Sequence, residues 1–189
     1  LLGAESGKGI NFKPYVASKW STEDATDDYQ FDSGFDLFYR VTPSLTATLT
    51  YNTDFAETEV DQQKVNLSRF PLFFPEKRDF FLEGANIYQF APRSGVYPYF
   101  SRKIGLQSGN PIPILYGGRI IGKIGKLEIA AQQVKTRKTG LINSEDFSVL
   151  RLKKNFLKES SIGILYTRRH TYNGEKLVEP IQDRNTLGI

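Results

Sequence analysis

The chain has 189 residues, 25 Lys and Arg against 21 Asp and Glu, and a net charge of +4. It contains no cysteine and a single histidine, His170, which excludes disulfides, thiol catalysis, zinc–thiolate centres and any site needing two histidines. Its charges are interspersed, with no basic arm or stripe to track phosphates, so nucleic acid is not an expected partner.

Aromatic residues are abundant, with ten Tyr and fourteen Phe, while the hydrophobic share is only 39%. Few aliphatics and many rings suit a β protein whose strands have one polar face, of which an outer-membrane barrel is an extreme case. No run of 18 apolar residues occurs, so a transmembrane helix is not expected; that test does not exclude a barrel. Leu1 stands where an initiator Met would be, and Thr186–Ile189 reads as the start of a further strand. Both features predict a piece of a longer chain.

In chain order, Asn11–Trp20 and Tyr29–Arg40 read as strands around a polar loop, Ser21–Asp28. A tight Thr42-Pro43-Ser44 turn leads into Ser44–Asn52, which alternates without exception. Leu45, Ala47, Leu49 and Tyr51 fall on one face; Ser44, Thr46, Thr48, Thr50 and Asn52 fall on the other. From Thr53 to Pro113 the alternation lapses, and this stretch holds six of the nine prolines. It then returns in two predicted hairpins. Ile114–Lys123 and Lys126–Thr136 meet across Ile124-Gly125, and Phe147–Lys154 and Ser160–Arg169 meet across Asn155–Glu159. Longer polar links, Arg137–Asp146 and His170–Arg184, separate them. Short turns alternating with longer loops is the rhythm of an up-and-down barrel. No helix is predicted; the stretch nearest to one, Asp61–Leu67, is short and next to prolines.

Within the non-alternating stretch, Phe73–Gly84 reads FFPEKRDFFLEG. Its charges fall between pairs of phenylalanines with neither a 3.6 nor a 2.0 period. Asn52–Gly84 as a whole, with YFSRKIGL at Tyr99–Leu106, PIPILYGGRIIGKIG at Pro111–Gly125 and FSVLRLKKNF at Phe147–Phe156, resembles the bacterial family DUF5916. The motifs stand in the right order at plausible spacing. The resemblance implies an outer-membrane β-barrel of Gram-negative bacteria, usually preceded by a domain resembling carbohydrate-binding family 9. Some relatives carry a generic hydrolase description.

The expected fold is therefore all-β, an antiparallel meander forming part of an outer-membrane-type β-barrel with a long irregular insert that plugs or lines the lumen. Residues 1–189 form one fragment of that barrel domain, and residues 53–113 are the insert within it.

Three groups of residues are candidates for function. Asp54, Glu57, Glu59 and Asp61 form an acidic cluster. On an extended chain, Glu57, Glu59 and Asp61 share a face with carboxylates about 7 Å apart. Salt bridging to Lys64, Arg69, Lys77 and Arg78 is the plain reading, and a Ca²⁺ site is the sharper one. No other cofactor is expected. In the second group, Glu76, Lys77, Arg78, Asp79 and Glu83 line a polar path while Phe73, Phe74, Phe80 and Phe81 anchor it or stack on sugars. The plain reading there is a folded-in loop whose rings pack on Phe70 and Tyr88 and whose charges pair with the wall. In the third, Arg119 and Lys123, and likewise Arg151 and Lys153, share strand faces. They face the lumen if Leu150 and Leu152 face lipid, tuning solute selectivity or balancing the acidic insert.

Gly117, Gly118, Gly122 and Gly125 do not form a GxGxxG or GK[ST] phosphate loop; strand glycines more often mark close backbone approach. His170 reads as a solvated loop residue. The leading expectation is a non-enzymatic barrel in the bacterial outer membrane, in contact with its lipid, that passes or binds a polar ligand such as a polysaccharide. The second is a glycan hydrolase using Glu57, Glu59, Glu76 or Glu83 as acid and base. That reading requires two of these carboxylates about 5–10 Å apart in an open cleft. The third is a soluble β-sandwich binding module, which needs the Leu45/Leu49/Tyr51 face to meet a second sheet.

Overall fold

The structure is a computed structural model and describes residues 9–23, 26–52, 76, 78–90, 98–107, 110–140, 142–156, 160–173, 176–177 and 184–188. Alternating sequence produces the expected antiparallel meander. Strand β1 (Ile10–Glu23) pairs with β2 (Thr26–Thr42), and β2 with β3 (Leu45–Tyr51). Among the described residues between β3 and the next strand of the sheet lie a short helix, α1 (Asp79–Leu82), 3₁₀ turns at Ala85–Tyr88 and Ser101–Lys103, and the two-residue strands β4 (Leu106–Gln107) and β5 (Asn110–Pro111). The sheet resumes with β6 (Ile114–Ile124), β7 (Leu127–Thr136), β8 (Ser144–Asn155) and β9 (Ser161–Asn173). Strands β10 (Lys176–Leu177) and β11 (Arg184–Gly188) both lie along the far edge of β9.

β3 pairs directly with β6, so the whole segment between them leaves and re-enters the sheet without breaking its order. All pairings in the sheet are antiparallel. The sheet is open: among the described residues, β1 at one edge does not pair with the β10/β11 row at the other.

Because successive side chains alternate, register sorts the residues onto two faces. Leu37, Leu49 and Gly118 are in register on one face, as are Ala47, Ile120, Ala131 and Leu150. The intervening positions, Thr48, Arg119 and Gln132, occupy the other. The burial of these faces reverses the usual order. Leu49, Tyr51 and Ile120 are 53%, 47% and 46% exposed, while Thr48 and Thr50 are 0% and 3% exposed.

What buries the polar face is the insert. Phe80 and Phe81 of α1 and the nearby Ile104 pack with Ile114, Val134 and Phe147. Tyr88 packs beside them with Ile121, Ala130, Val149 and Leu165, and Tyr99 adjoins both clusters. Two glycines make this approach possible. A Cβ on Gly117 would lie 2.8 Å from Thr50 Cγ2 and 3.1 Å from Phe80 Cζ, so its absence leaves room for the ring. Gly84 sits at φ +64 between the helix and the 3₁₀ turn, where a Cβ would be strained and only 2.6 Å from Ile121 Cδ1.

Several expectations are corrected. Ser21–Asp28 is not a loop: β1 and β2 continue as a ladder to the pair Glu23–Thr26. Cross-strand pairing there overrides a composition rich in turn formers. The Arg137–Asp146 link is shorter than expected because β8 begins at Ser144. His170 lies within β9 and is buried, not solvated in a loop. DFFL forms one helical turn, too short to leave any periodic signal.

Candidate functional site

The inner face carries most of the chemistry-bearing residues singled out in the sequence. Arg78 immediately precedes α1, and its guanidinium is held on every side. Nε and Nη2 donate to the two Glu76 carboxylate oxygens at 2.8 Å each, a bidentate pair. Nη1 donates to the Ile104 carbonyl at 2.6 Å and Nη2 also to the Ser101 carbonyl at 2.9 Å. The guanidinium carbon lies 4.1 Å from the Phe81 ring centroid. Ser101 Oγ donates to Glu76 at 2.6 Å. Burial pushes the Glu76 carboxyl up, but the Arg78 hydrogen bonds and charge, with the Ser101 hydroxyl, outweigh it and hold it below the ordinary glutamate range. This knot ties the helix to the Ser101–Lys103 turn.

Arg119 joins the insert to the wall. Its side chain is fully buried, and Nη1 donates to the Glu83 carbonyl at 2.9 Å while Nη2 donates to the Glu83 carboxylate at 3.1 Å. Phe80 stacks 5.1 Å from the same guanidinium. Asp79, the first residue of the helix, accepts from Lys13 Nζ at 2.7 Å, an exposed contact to β1. Gln132 Nε2 donates to Tyr99 Oη at 3.0 Å, and burial pushes the Tyr99 hydroxyl well above its ordinary range.

The other wall cations are engaged within the sheet. Lys123 contacts Glu128 at 2.9 Å, with Lys153 3.8 Å from the same carboxylate. Arg151 donates to the Leu152 and Ile164 carbonyls at 3.0 and 3.2 Å and lies over Phe90.

The structure thus brings Glu76, Arg78, Asp79, Phe80, Phe81, Glu83 and Arg119 together where the insert meets the wall. Lys123 and Arg151 share that face but lie apart from the insert charges. Glu76 and Glu83 are each held by an arginine, so neither offers a free carboxylate. Asp54, Glu57, Glu59, Asp61, Phe73, Phe74 and Lys77 lie outside the described residues. Among the described residues, no three or more His, Cys, Asp or Glu are grouped to hold a metal.

Sequence reading missed Arg102, which is buried, and Ser101, the turn residue bonded to Glu76. It also missed a cleft beside Tyr99, where Lys103, Arg169 and Arg184 converge. The YFSRKIGL motif contains Ser101, Arg102 and Lys103, and its density of charge beside aromatics was the available signal. Arg184 gave none, because its place depends on β11 pairing with β9.

Fold and site together define an antiparallel β wall with an intervening segment packed on its polar face. The family model described as "Domain of unknown function (DUF5916)" matches residues 9–116, more than half of the chain. The chain belongs to this family. No curated protein and no solved structure matches it.

Proposed function

We propose that this chain forms part of the wall of an outer-membrane β-barrel, with the insert folded onto the luminal face and a polar solute bound or passed beside it. The observation that carries this reading is the inverted sheet. Thr48, Thr50, Asn52, Arg119 and Gln132 are buried, while Ile10, Phe12, Val16, Phe31, Leu49, Ile120 and Ile162 are exposed on the opposite face. Single exposed apolar residues need no explanation, but a face of them drawn from β1, β2, β3, β6, β8 and β9 does. From Tyr116 to Ile124, β6 offers nine residues, at the lower end of the ~9–11 that a tilted membrane-spanning strand needs.

The connections support the same reading. Pro43-Ser44, Gly125-Lys126 and residues 156–160 close one end of the sheet, whereas the insert and residues 137–143 leave from the other. Short turns at one end and long loops at the other are the habit of outer-membrane barrels, and the short Glu23–Thr26 connection at the insert's end is the exception here. Among the described residues no second sheet covers the Leu49 face, as a sandwich would require. Cell fractionation tests the proposal. The protein should stay with the membrane through salt and alkaline washes and be released only by detergent; release into detergent-free buffer contradicts it.

A further inference from the structure

We propose that the cleft between the insert and the inner ends of β8, β9 and β11 binds a small anionic solute, held by Lys103, Arg169 and Arg184. The inference rests on the luminal reading of this face and adds the charge of the ligand.

The cleft has a volume of about 200 Å³ and is lined by Tyr99, Phe147, Thr167 and Thr186 together with the three cations. That is below the ~300–1,000 Å³ of drug-sized sites and suits a solute on the scale of a monosaccharide. Among the described residues, no Asp or Glu lines it.

Register makes the charge arrangement unusual. Arg184 of β11 stands directly opposite Arg169 of β9, so two like charges share a cross-strand pair with Cβ atoms about 4.5–5.5 Å apart. Such pairs destabilise a sheet unless an anion sits between them. Glu145 balances Arg169 and lies on its β8 side. Among the described residues, Arg184 and Lys103 have no anionic partner. Phe147 lies 5.4 Å beneath the Arg169 guanidinium and steadies it. A carboxylate or phosphate between Arg169, Arg184 and Lys103 would accept charge-assisted hydrogen bonds, with Thr167 and Thr186 available to hydroxyls and Tyr99 and Phe147 to an apolar ring face.

The test is calorimetric titration of the intact protein in detergent micelles, at low salt, with glucuronate, glucose 6-phosphate and glucose. Glucuronate, glucose 6-phosphate or both should bind saturably, and glucose should not. Comparing the two anions tells carboxylate from phosphate. Arg184→Ala and Lys103→Ala, both at exposed positions, should each weaken that binding about tenfold or more while leaving the fold intact. Arg184→Glu should abolish it. Binding of neither anion, equal binding of glucose, or variants that bind like the parent would each overturn the inference. Those results leave the lipid-facing reading of the outer face standing. Conversely, a protein that proved soluble without detergent could be titrated in plain buffer, so the two failures are distinguishable.

Discussion

Thr48 and Leu49, or Arg119 and Ile120, are chain neighbours on opposite faces of one sheet, yet the polar member of each pair is buried and the apolar member exposed. Alternation in a strand says only that two environments exist, not which of them is the interior. What decides is what packs on each face. Here the packed face is polar because the segment that covers it brings its own charges, and Glu76, Arg78, Asp79 and Glu83 among them meet partners. The uncovered face carries exposed apolar residues from β1 to β9, interrupted by polar positions such as Gln133 and Ser148.

The largest expected effect lies in the covered face. Glu76→Ala leaves Arg78 buried without its carboxylate, which should cost about 3–5 kcal/mol and release the insert from the wall. Hydrogen exchange at the Phe80 and Phe81 amides should rise sharply while exchange in β6 and β7 changes little; equal loss in both would mean that the knot does not hold the insert separately. Phe80→Ala should act in the same direction by a similar ~3–5 kcal/mol, since the ring is buried in the main cluster.

The uncovered face is probed by Ile120→Arg, midway along β6. In a bilayer this change should cost about 2–4 kcal/mol, whereas at a water-exposed position it would stay within about 0.5 kcal/mol. Folding titrations into lipid vesicles measure the difference.

Acid should separate the two faces as well. The Glu76 pKa is lowered in the folded state, so its contribution is complete above the ordinary glutamate value of 4.5 and is lost as pH falls below that through the depressed value. Protease sensitivity of the insert should therefore rise below pH 4.5 while the strands keep their circular dichroism; simultaneous loss of both would contradict an independent knot. The smallest effect is expected for Lys13→Ala. Its ion pair with Asp79 is solvent-exposed, and removing it should cost less than about 1 kcal/mol in denaturant titrations.

Legibility in the sequence followed the same division. Ser44–Asn52 and Ile114–Thr136 could be read directly because each obeys a period of two, and β3, β6 and β7 occupy those ranges. The ladder through Ser21–Asp28 could not, because there partner strands, not local propensity, hold the backbone extended. His170 was misplaced for a related reason: a strand end rich in Arg, His and Thr looks like a loop until β8 is seen beside it. In FFPEKRDFFLEG the presence of paired charges and anchoring rings was legible from composition, but the partners were not. Arg119, 36 residues beyond Glu83, and Ser101, 25 beyond Glu76, are set by the way the segment folds back, which no periodicity encodes.

The central claim is that one face meets lipid and the other a polar interior, and cysteine labelling tests it most directly in a chain that has no native cysteine. Ile120→Cys and Lys123→Cys lie on the same strand, one on each face, and both positions are exposed. In membranes, the cysteine at 120 should resist a water-soluble maleimide, and a fluorophore attached there should be quenched by brominated lipid. The cysteine at 123 should behave in the opposite way. Equal, rapid maleimide reaction at both positions, with no quenching by lipid at 120, would contradict the account.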